Sequence, residues 1–532
     1  MYKGINMNRY IIKVVCATIA MGLCSSVFAE KNMKTYILTP PPSPKPRING
    51  TRIFGCRPGN PFLFKIPATG KQPLYFSAKG LPLGLSIDAQ TGIITGTVNK
   101  QGEYNVLITV KNKLGEDRRE LRIRIGNEIC LTPPMGWNSW YCHSELISEK
   151  AMRETAKAMV EKGLADHGWT YVNIDDCWQG VRGGTYHAIQ PNDRFENMKG
   201  MCDYIHLLGL KVGIYSTPWM GTFAGFIGSS APNKAGDYSA YFLPEEKRLQ
   251  KYQFFGRYPG SIKKKLNHVG EWFFDKDAKQ WAEWGFDYLK IDWKPNDIPT
   301  TKRIYNDLAK CKRDIVLSLS NAAPFKNSKE LSKYANCWRT TGDIHAKWKS
   351  ISKIGFGQQR WQPFTKSGHW NDPDMLQVGN IGTPNRKNKS FKPTRLTPDE
   401  QYTQISLWCL LSAPLLLSCD IASLDEFTLS LLTNDEVLEI DQDPAGLPAH
   451  RVAHDDTKEI WMKKLEDGNI AVGLFNLSNK KDKLNIYWTD LGLTGNYVVR
   501  DLWRQKNLGD YTHLFSTEVN PHGVVFIKIT NK

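Results

Sequence analysis

Three stretches of the chain differ in how apolar and polar residues alternate. Between residues 48 and 128, short runs such as LYFSA, GIITGTV, YNVLITV and RRELRIRIG switch between apolar and polar positions every second residue. That period sets one face of a strand on a core and the other in water. Glycines and an Asp-Ala-Gln-Thr-Gly turn separate the runs, so a small β-sandwich is expected. From 130 to 444 the rhythm changes. YVNIDD (171–176), KVGIYS (211–216), YLKIDW (288–293), IVLSLS (315–320), CWRTTGD (337–343) and LLLSCD (415–420) read as buried strands. Helical stripes lie between them, as in 148–168, with apolar residues at 151, 152, 156, 159, 160 and 164. Apolar strands alternating with helices imply a parallel sheet covered by helices, and this many units fit a central (β/α)8 TIM barrel. From 445 to 532, EIWMKKL, GNIAVGLFNLS, KLNIYWTDL, GNYVVRDLW and GVVFIKIT return to the shorter period, an antiparallel β-sandwich.

The ends of the chain add an address and a linker. Residues 1–29 carry Lys3, Arg9 and Lys13 ahead of an apolar stretch that closes on Val27-Phe28-Ala29. This is the pattern of a cleaved signal peptide, so the protein is expected to be exported, to a periplasm or beyond the cell. No later segment is long and apolar enough to span a membrane. Residues 30–47 include TPPPSPKPR and read as a proline-rich linker.

A net charge of +17 raises nucleic acid as a partner. The lysines are interspersed with acids, and no RRM, KH or zinc-finger pattern occurs, so a solvated basic surface is the better reading. Of eleven cysteines, Cys16 and Cys24 precede residue 29, which leaves an odd number and at least one free thiol. No C-x-x-C pair suggests zinc, and no cofactor is implied.

The chemistry gathers at strand ends. Asp175 and Asp176 close YVNIDD, Asp292 closes YLKID, Asp343 closes CWRTTGD, Asp372 and Asp374 lie in HWNDPD, and Asp420 closes LLLSCD. Barrel enzymes place their reacting groups at the carboxyl ends of the strands. One such acid is readily a helix cap; several in the same register point to a shared mouth. Lys290 and Arg339 are the candidate counter-charges, without which buried carboxylates are costly. An oxygen-rich calcium or magnesium site competes with this reading. Tryptophans 140, 178, 219, 293 and 370 beside the acids favour a sugar, whose C–H faces stack on rings while acids hold its hydroxyls.

TPPMGWNSW (132–140), YVNIDDCW, KVGIYS, YLKIDW, CWRTTGDI, GHWNDPDML and EIDQDPAG (439–446) occur in an order that resembles glycoside hydrolase family 27. This is the melibiase-like family of α-galactosidases and α-N-acetylgalactosaminidases. GLPLGLSIDAQTGIITGTVNKQGEYNVLITVKN (80–112) resembles the immunoglobulin-like (Ig-like) modules of bacterial surface and secreted enzymes. The family resemblance implies a retaining exo-α-galactosidase that removes terminal α-galactosyl residues without a metal or cofactor. It makes Asp292 the nucleophile and Asp343 the acid/base. Asp175 and Asp176 would hold the 4- and 6-hydroxyls, with Trp140, Tyr215, Lys290, Arg339 and Asp374 as further sugar contacts. It also implies a Cys142–Cys177 disulfide near the mouth.

Two departures leave alternatives open. SLSNAAPF replaces the family's usual segment, and the small residues Ser320 and Ala323 bring a 2-acetamido sugar into question. An insertion at 217–274 either walls the pocket or is a structural flap. An α-N-acetylgalactosaminidase, a β-L-arabinopyranosidase and a noncatalytic carbohydrate-binding protein are the competing readings.

Overall fold

Eight short parallel strands form the centre of the molecule: β1 Met135–Asn138, β2 Tyr171–Asn173, β3 Lys211–Ser216, β4 Tyr288–Asp292, β5 Val316–Ser320, β6 Cys337–Arg339, β7 Trp370–Asp372 and β8 Leu415–Leu417. In the computed structural model the described residues are 33–248, 250–254, 261–382 and 391–532. The signal segment expected at 1–29 lies outside them. Each of β2 to β7 pairs with its predecessor, β8 pairs with β1, and a single bridge from Leu376 to Leu417 joins the segment after β7 to β8. The ring is the expected (β/α)8 barrel. Two of its strands, β1 and β7, were not among the six read from the sequence.

Local chemistry explains the covering helices. Ser148 caps Glu149–Glu161 by accepting from the Ala151 amide, and Met152, Ala156 and Met159 form its buried stripe. Thr397 and Glu400 form a reciprocal capping box at the start of Pro398–Leu410. That helix is buried along nearly its whole length, because the C-terminal sandwich covers the side that a barrel helix usually turns to water. Gly213 on β3 is required by close packing: a Cβ there would lie 2.0 Å from the Asn173 side chain.

The Ig-like module has a four-stranded and a three-stranded sheet around its own core of Phe62, Ile94, Val106, Ile108, Leu121 and Ile123. It sits under the barrel at the amino ends of the strands. Asp314, just before β5, accepts from the Arg57 amide at 2.9 Å and from Asn60 Nδ2 at 2.7 Å. The Lys211 ammonium, at the start of β3, lies 4.7 Å from the Phe54 ring centre. Glu439 takes Arg119 at 2.6 Å and Arg47 at 3.3 Å. The described part of the proline-rich stretch is strapped down at its start: Thr39 Oγ1 donates to Ser430 O, and the Tyr402 hydroxyl bridges Leu38 N and Tyr36 O.

The C-terminal unit is an antiparallel six-stranded sheet facing a two-stranded one. Its inner face belongs to the barrel core, through Trp461, Phe475, Trp503 and Phe526. Its outer layer has a separate core around Val472, Ile486, Phe515 and Ile527. Among the described residues, no helix is long and apolar enough to cross a membrane.

Candidate active site

The carboxyl ends of β1 to β7 bring most of the expected residues together. Asp292 is the last residue of β4 and is buried. The Tyr215 hydroxyl, from β3, donates to its Oδ2 at 3.0 Å, and Asn321 Nδ2, just past β5, donates to its Oδ1 at 2.6 Å. Lys290 lies two residues earlier on the same strand face and binds Asp175 Oδ2 at 2.7 Å. A strand otherwise fit for the core therefore carries an ammonium and a carboxylate side by side, both turned into the barrel mouth.

Asp343 lies on the loop four residues beyond β6, with its side chain 59% exposed. Arg339, the last residue of β6, reaches it at 3.2 Å and reaches Asp374 at 2.7 Å. Asp374 is buried with φ 84° and also accepts from the amide of Ile344, which follows Asp343. The Tyr141 hydroxyl donates to Ile344 O at 2.8 Å. Asp374 and Tyr141 thus fix the stem of the loop, and Asp343 stays free at its tip.

Asp175 and Asp176 follow the end of β2. Asp175 receives the Asp176 amide, and its own amide donates to Ser139 Oγ. Asp176 is buried, and the amides of Cys177 and Ala224 donate to its two oxygens. Ala224 belongs to the 217–274 insertion, so the insertion walls the site from the Asp176 side. Ser320 and Ala323 are both buried. Ser320 lines a cavity of about 20 Å³ beneath the mouth, with Lys290, Arg339 and Asp372. Trp140 is half-buried at the start of the turn after β1.

Charges across the site set its proton affinities. Burial raises Asp292 to about 6, Lys290 partly offsets it, and the charges of Asp175 and Asp343 add to it. Burial also raises Asp176, to about 7, although the Ala224 amide and the Thr222 hydroxyl work against the rise. Asp343 behaves oppositely: its partial burial is outweighed by Arg339 and Lys290, which hold it below the ordinary carboxylate range. Asp343 is one of the charges felt by Asp292, so the two carboxyls titrate as members of one site.

Two expectations need correction. Cys142 and Cys177 form no disulfide; both are buried free thiols. The Cys142 thiol turns back to Ser139 O at 3.8 Å and neighbours Cys419 and Asp420, whereas Cys177 neighbours Asp176 and Arg194. Hydrogen bonds hold the Asp176 loop instead. Trp178, Trp293 and Trp370 are core residues with 2% exposure or less, and the Trp370 indole donates downward to Cys130 O. Asp374 and Asp176 are almost wholly enclosed, and backbone amides donate to their oxygens. Sequence reasoning missed Asn321, Tyr141 and Ala224. Asn321 sat in a segment already marked as unusual; the other two gave no local signal. Among the described residues, no group of His, Cys, Asp and Glu is arranged to hold a metal ion.

Comparison with known proteins agrees with this architecture. The alpha galactosidase A family matches residues 132–242 and 252–443, its C-terminal β-sandwich domain matches 455–529, and an Ig domain matches 46–125. Alpha-galactosidase 2 of Arabidopsis thaliana is 32% identical, over 78% of this chain and 94% of its own length. A solved Bacteroides fragilis protein, described as a candidate alpha-galactosidase, superposes with a TM-score of 0.78 at 30% identity, covering 92% of this chain and 98% of that one. A family 27 β-L-arabinopyranosidase from Geobacillus stearothermophilus superposes with a TM-score of 0.62 at 29% identity, over 76% of this chain and 98% of that one. The chain is a glycoside hydrolase and belongs to the alpha galactosidase A family, glycoside hydrolase family 27.

Proposed function

We propose that this enzyme is a retaining exo-α-galactosidase that releases terminal, non-reducing α-D-galactosyl residues from oligosaccharides or polysaccharides. The supporting observation is the pair Asp292 and Asp343: one is enclosed between two hydrogen-bond donors and feels the Lys290 charge, and the other sits exposed on a braced loop within reach of Arg339. The naming of 32% identical relatives as alpha-galactosidases supports the choice of sugar.

Asp292 attacks the anomeric carbon while Asp343 gives its proton to the departing glycosidic oxygen. The C–O bond to the leaving group breaks as the ester bond to Asp292 forms. Water then attacks the same carbon, Asp343 takes the water proton, and the ester opens. Two inversions return the α configuration. Trp140, Asp175, Lys290 and Arg339 surround the sugar. Asp176 and Asp374 act from beneath by shaping the walls.

In the empty pocket burial holds Asp292 above the ordinary carboxylate range, while Arg339 and Lys290 hold Asp343 below it. A sugar laid over the exposed Asp343 removes its water and moves the proton toward it, which the first step requires. The signal-like pattern of residues 1–29 supports an exported enzyme, periplasmic or extracellular.

A panel of nitrophenyl glycosides tests the assignment: α-galactoside, α-N-acetylgalactosaminide, β-L-arabinopyranoside and α-glucoside. We expect the α-galactoside to turn over fastest. Preference for the arabinopyranoside would transfer the assignment to the activity of the Geobacillus neighbour. Proton NMR of the first product should show α-galactose; initial β-galactose would reject retention.

A further inference from the structure

We propose that Asn321 is a positioning residue for the reaction, holding the Asp292 carboxylate ionised and in place from a turn that also ties it to the strand of the acid. The inference rests on the nucleophile assignment above.

The turn is unusual in its backbone. Asn321 has φ 70° and Ala322 has φ 69°, two consecutive non-glycine residues in the left-handed region. Asparagine tolerates that region; alanine pays a steric penalty there, and such strain persists only where the surroundings enforce it. Both flanks of the turn are anchored. Before it, Asn296 Nδ2 donates to Ser320 O at 3.1 Å, and Asn296 is itself fully buried. After it, the Ala323 amide donates to Arg339 O at 2.8 Å. Arg339 is the residue whose guanidinium meets Asp343 and Asp374. The turn therefore spans from β4 to β6 across β5.

What the strained turn delivers is one side-chain contact, the 2.6 Å bond from Asn321 Nδ2 to Asp292 Oδ1. The Tyr215 hydroxyl takes the other oxygen. A buried carboxylate with a donor on each oxygen is favoured over its acid and cannot rotate freely. The other groups acting on Asp292 are Lys290 on its own strand, Asp175 after β2, Tyr215 on β3 and Asp343 after β6. Of these, Lys290 is cationic and already bonded to Asp175, so Asn321 and Tyr215 are the neutral donors.

The kinetic consequence has a definite shape. The reactive form carries one proton on the carboxyl pair, with Asp292 ionised. Removing the Asn321 donor makes Asp292 hold its proton more firmly. The reactive fraction of the free enzyme then falls wherever Asp292 is protonated, and is unchanged where it is already ionised. A merely structural defect would lower the rate at every pH.

The test compares parent, Asn321→Gly and Asn321→Asp. Glycine removes the donor while accepting the positive φ; aspartate keeps the shape and replaces the donor with an acceptor. kcat/KM is measured from pH 3.5 to 9 on whichever nitrophenyl glycoside the parent turns over fastest, with Asp292→Asn as control. We expect the basic limb to move up by about one pH unit in Asn321→Gly and further in Asn321→Asp. Below the limb kcat/KM should fall about tenfold, and above it the curves should converge. Variants that track the parent, or fall by a constant factor at all pH values, overturn the role of Asn321 while a dead Asp292→Asn keeps the nucleophile assignment. An Asp292→Asn variant as active as the parent, or no turnover of any glycoside, overturns both.

Discussion

Replacing Lys290 with methionine strips the single ammonium from a nest of buried carboxylates. Its Nζ lies 2.7 Å from Asp175 Oδ2, and the two side chains are 15% and 4% exposed. Breaking a buried pair by removing one partner leaves the other charge stranded, which costs about 3–5 kcal/mol. At roughly 2 °C per kcal/mol for a domain of this size, the barrel should melt about 6–10 °C lower near neutral pH. Lysine-to-methionine nearly preserves volume, so little of this loss comes from a cavity. The sign of the pH dependence follows from the carboxylate left behind. Lys290 is the charge that most lowers Asp292, so without it the folded protein gains by taking up a proton on Asp292, and the deficit is full at neutral pH and narrows on acidification. Adding Asp175→Asn removes the stranded charge, and the double variant should recover about 1–3 kcal/mol relative to the sum of the single changes. Lys290 also offsets the burial of Asp292, so its loss raises that group above about 6 and depresses kcat/KM in mild acid. Scanning calorimetry at pH 5 and pH 8 on the parent, both single variants and the double variant decides the matter. An equal deficit at both pH values, or strict additivity in the double variant, would refute the reasoning.

Four further outcomes are expected. For the parent enzyme, kcat/KM should be bell-shaped with its basic limb near pH 6, because the pair surrenders its last proton where Asp292 ionises; a plateau through pH 8 would contradict this. Asp292→Asn should lose at least about 10³-fold in kcat on every substrate. Asp343→Asn should lose far less on dinitrophenyl than on sugar leaving groups, since a good leaving group needs no acid, and stopped assays with both substrates would reveal equal losses if the roles were wrong. Asp314→Ala removes two charge-assisted hydrogen bonds to the Ig-like module and should cost about 1.5–3 kcal/mol, seen as faster proteolysis within residues 126–131 at unchanged kcat.

The order of layers was legible because burial dictates periodicity, and the chain obeys it over long runs. β1 and β7 escaped detection because they are only four and three residues long and sit among Pro133, Pro134, Gly368 and Pro373, where composition reads as loop. Asp292 and Lys290 announced themselves, since a carboxylate and an ammonium two apart on an apolar strand have no cheap structural reading. Asp374 and Asp176 lie at strand ends, as read from the sequence, and are almost wholly enclosed there. Their partners, Ile344 and Ala224, lie 30 and 48 residues away, and no local pattern tells which amide will reach a carboxylate. The tryptophans misled for a similar reason. Trp370 opens β7 with its indole directed at Cys130 near the barrel base, and a strand's sequence does not say which of its ends faces the mouth.

The Ig-like module is bolted to the floor of the barrel through Asp314, Lys211 and Glu439, while the candidate active site lies at the opposite pole. Anything gripped by the module's outer surface is therefore kept at a fixed stand-off, on the far side from the cleft. Such a layout suits a pedestal: it would hold the open mouth outward toward soluble chains and away from whatever the enzyme is standing on.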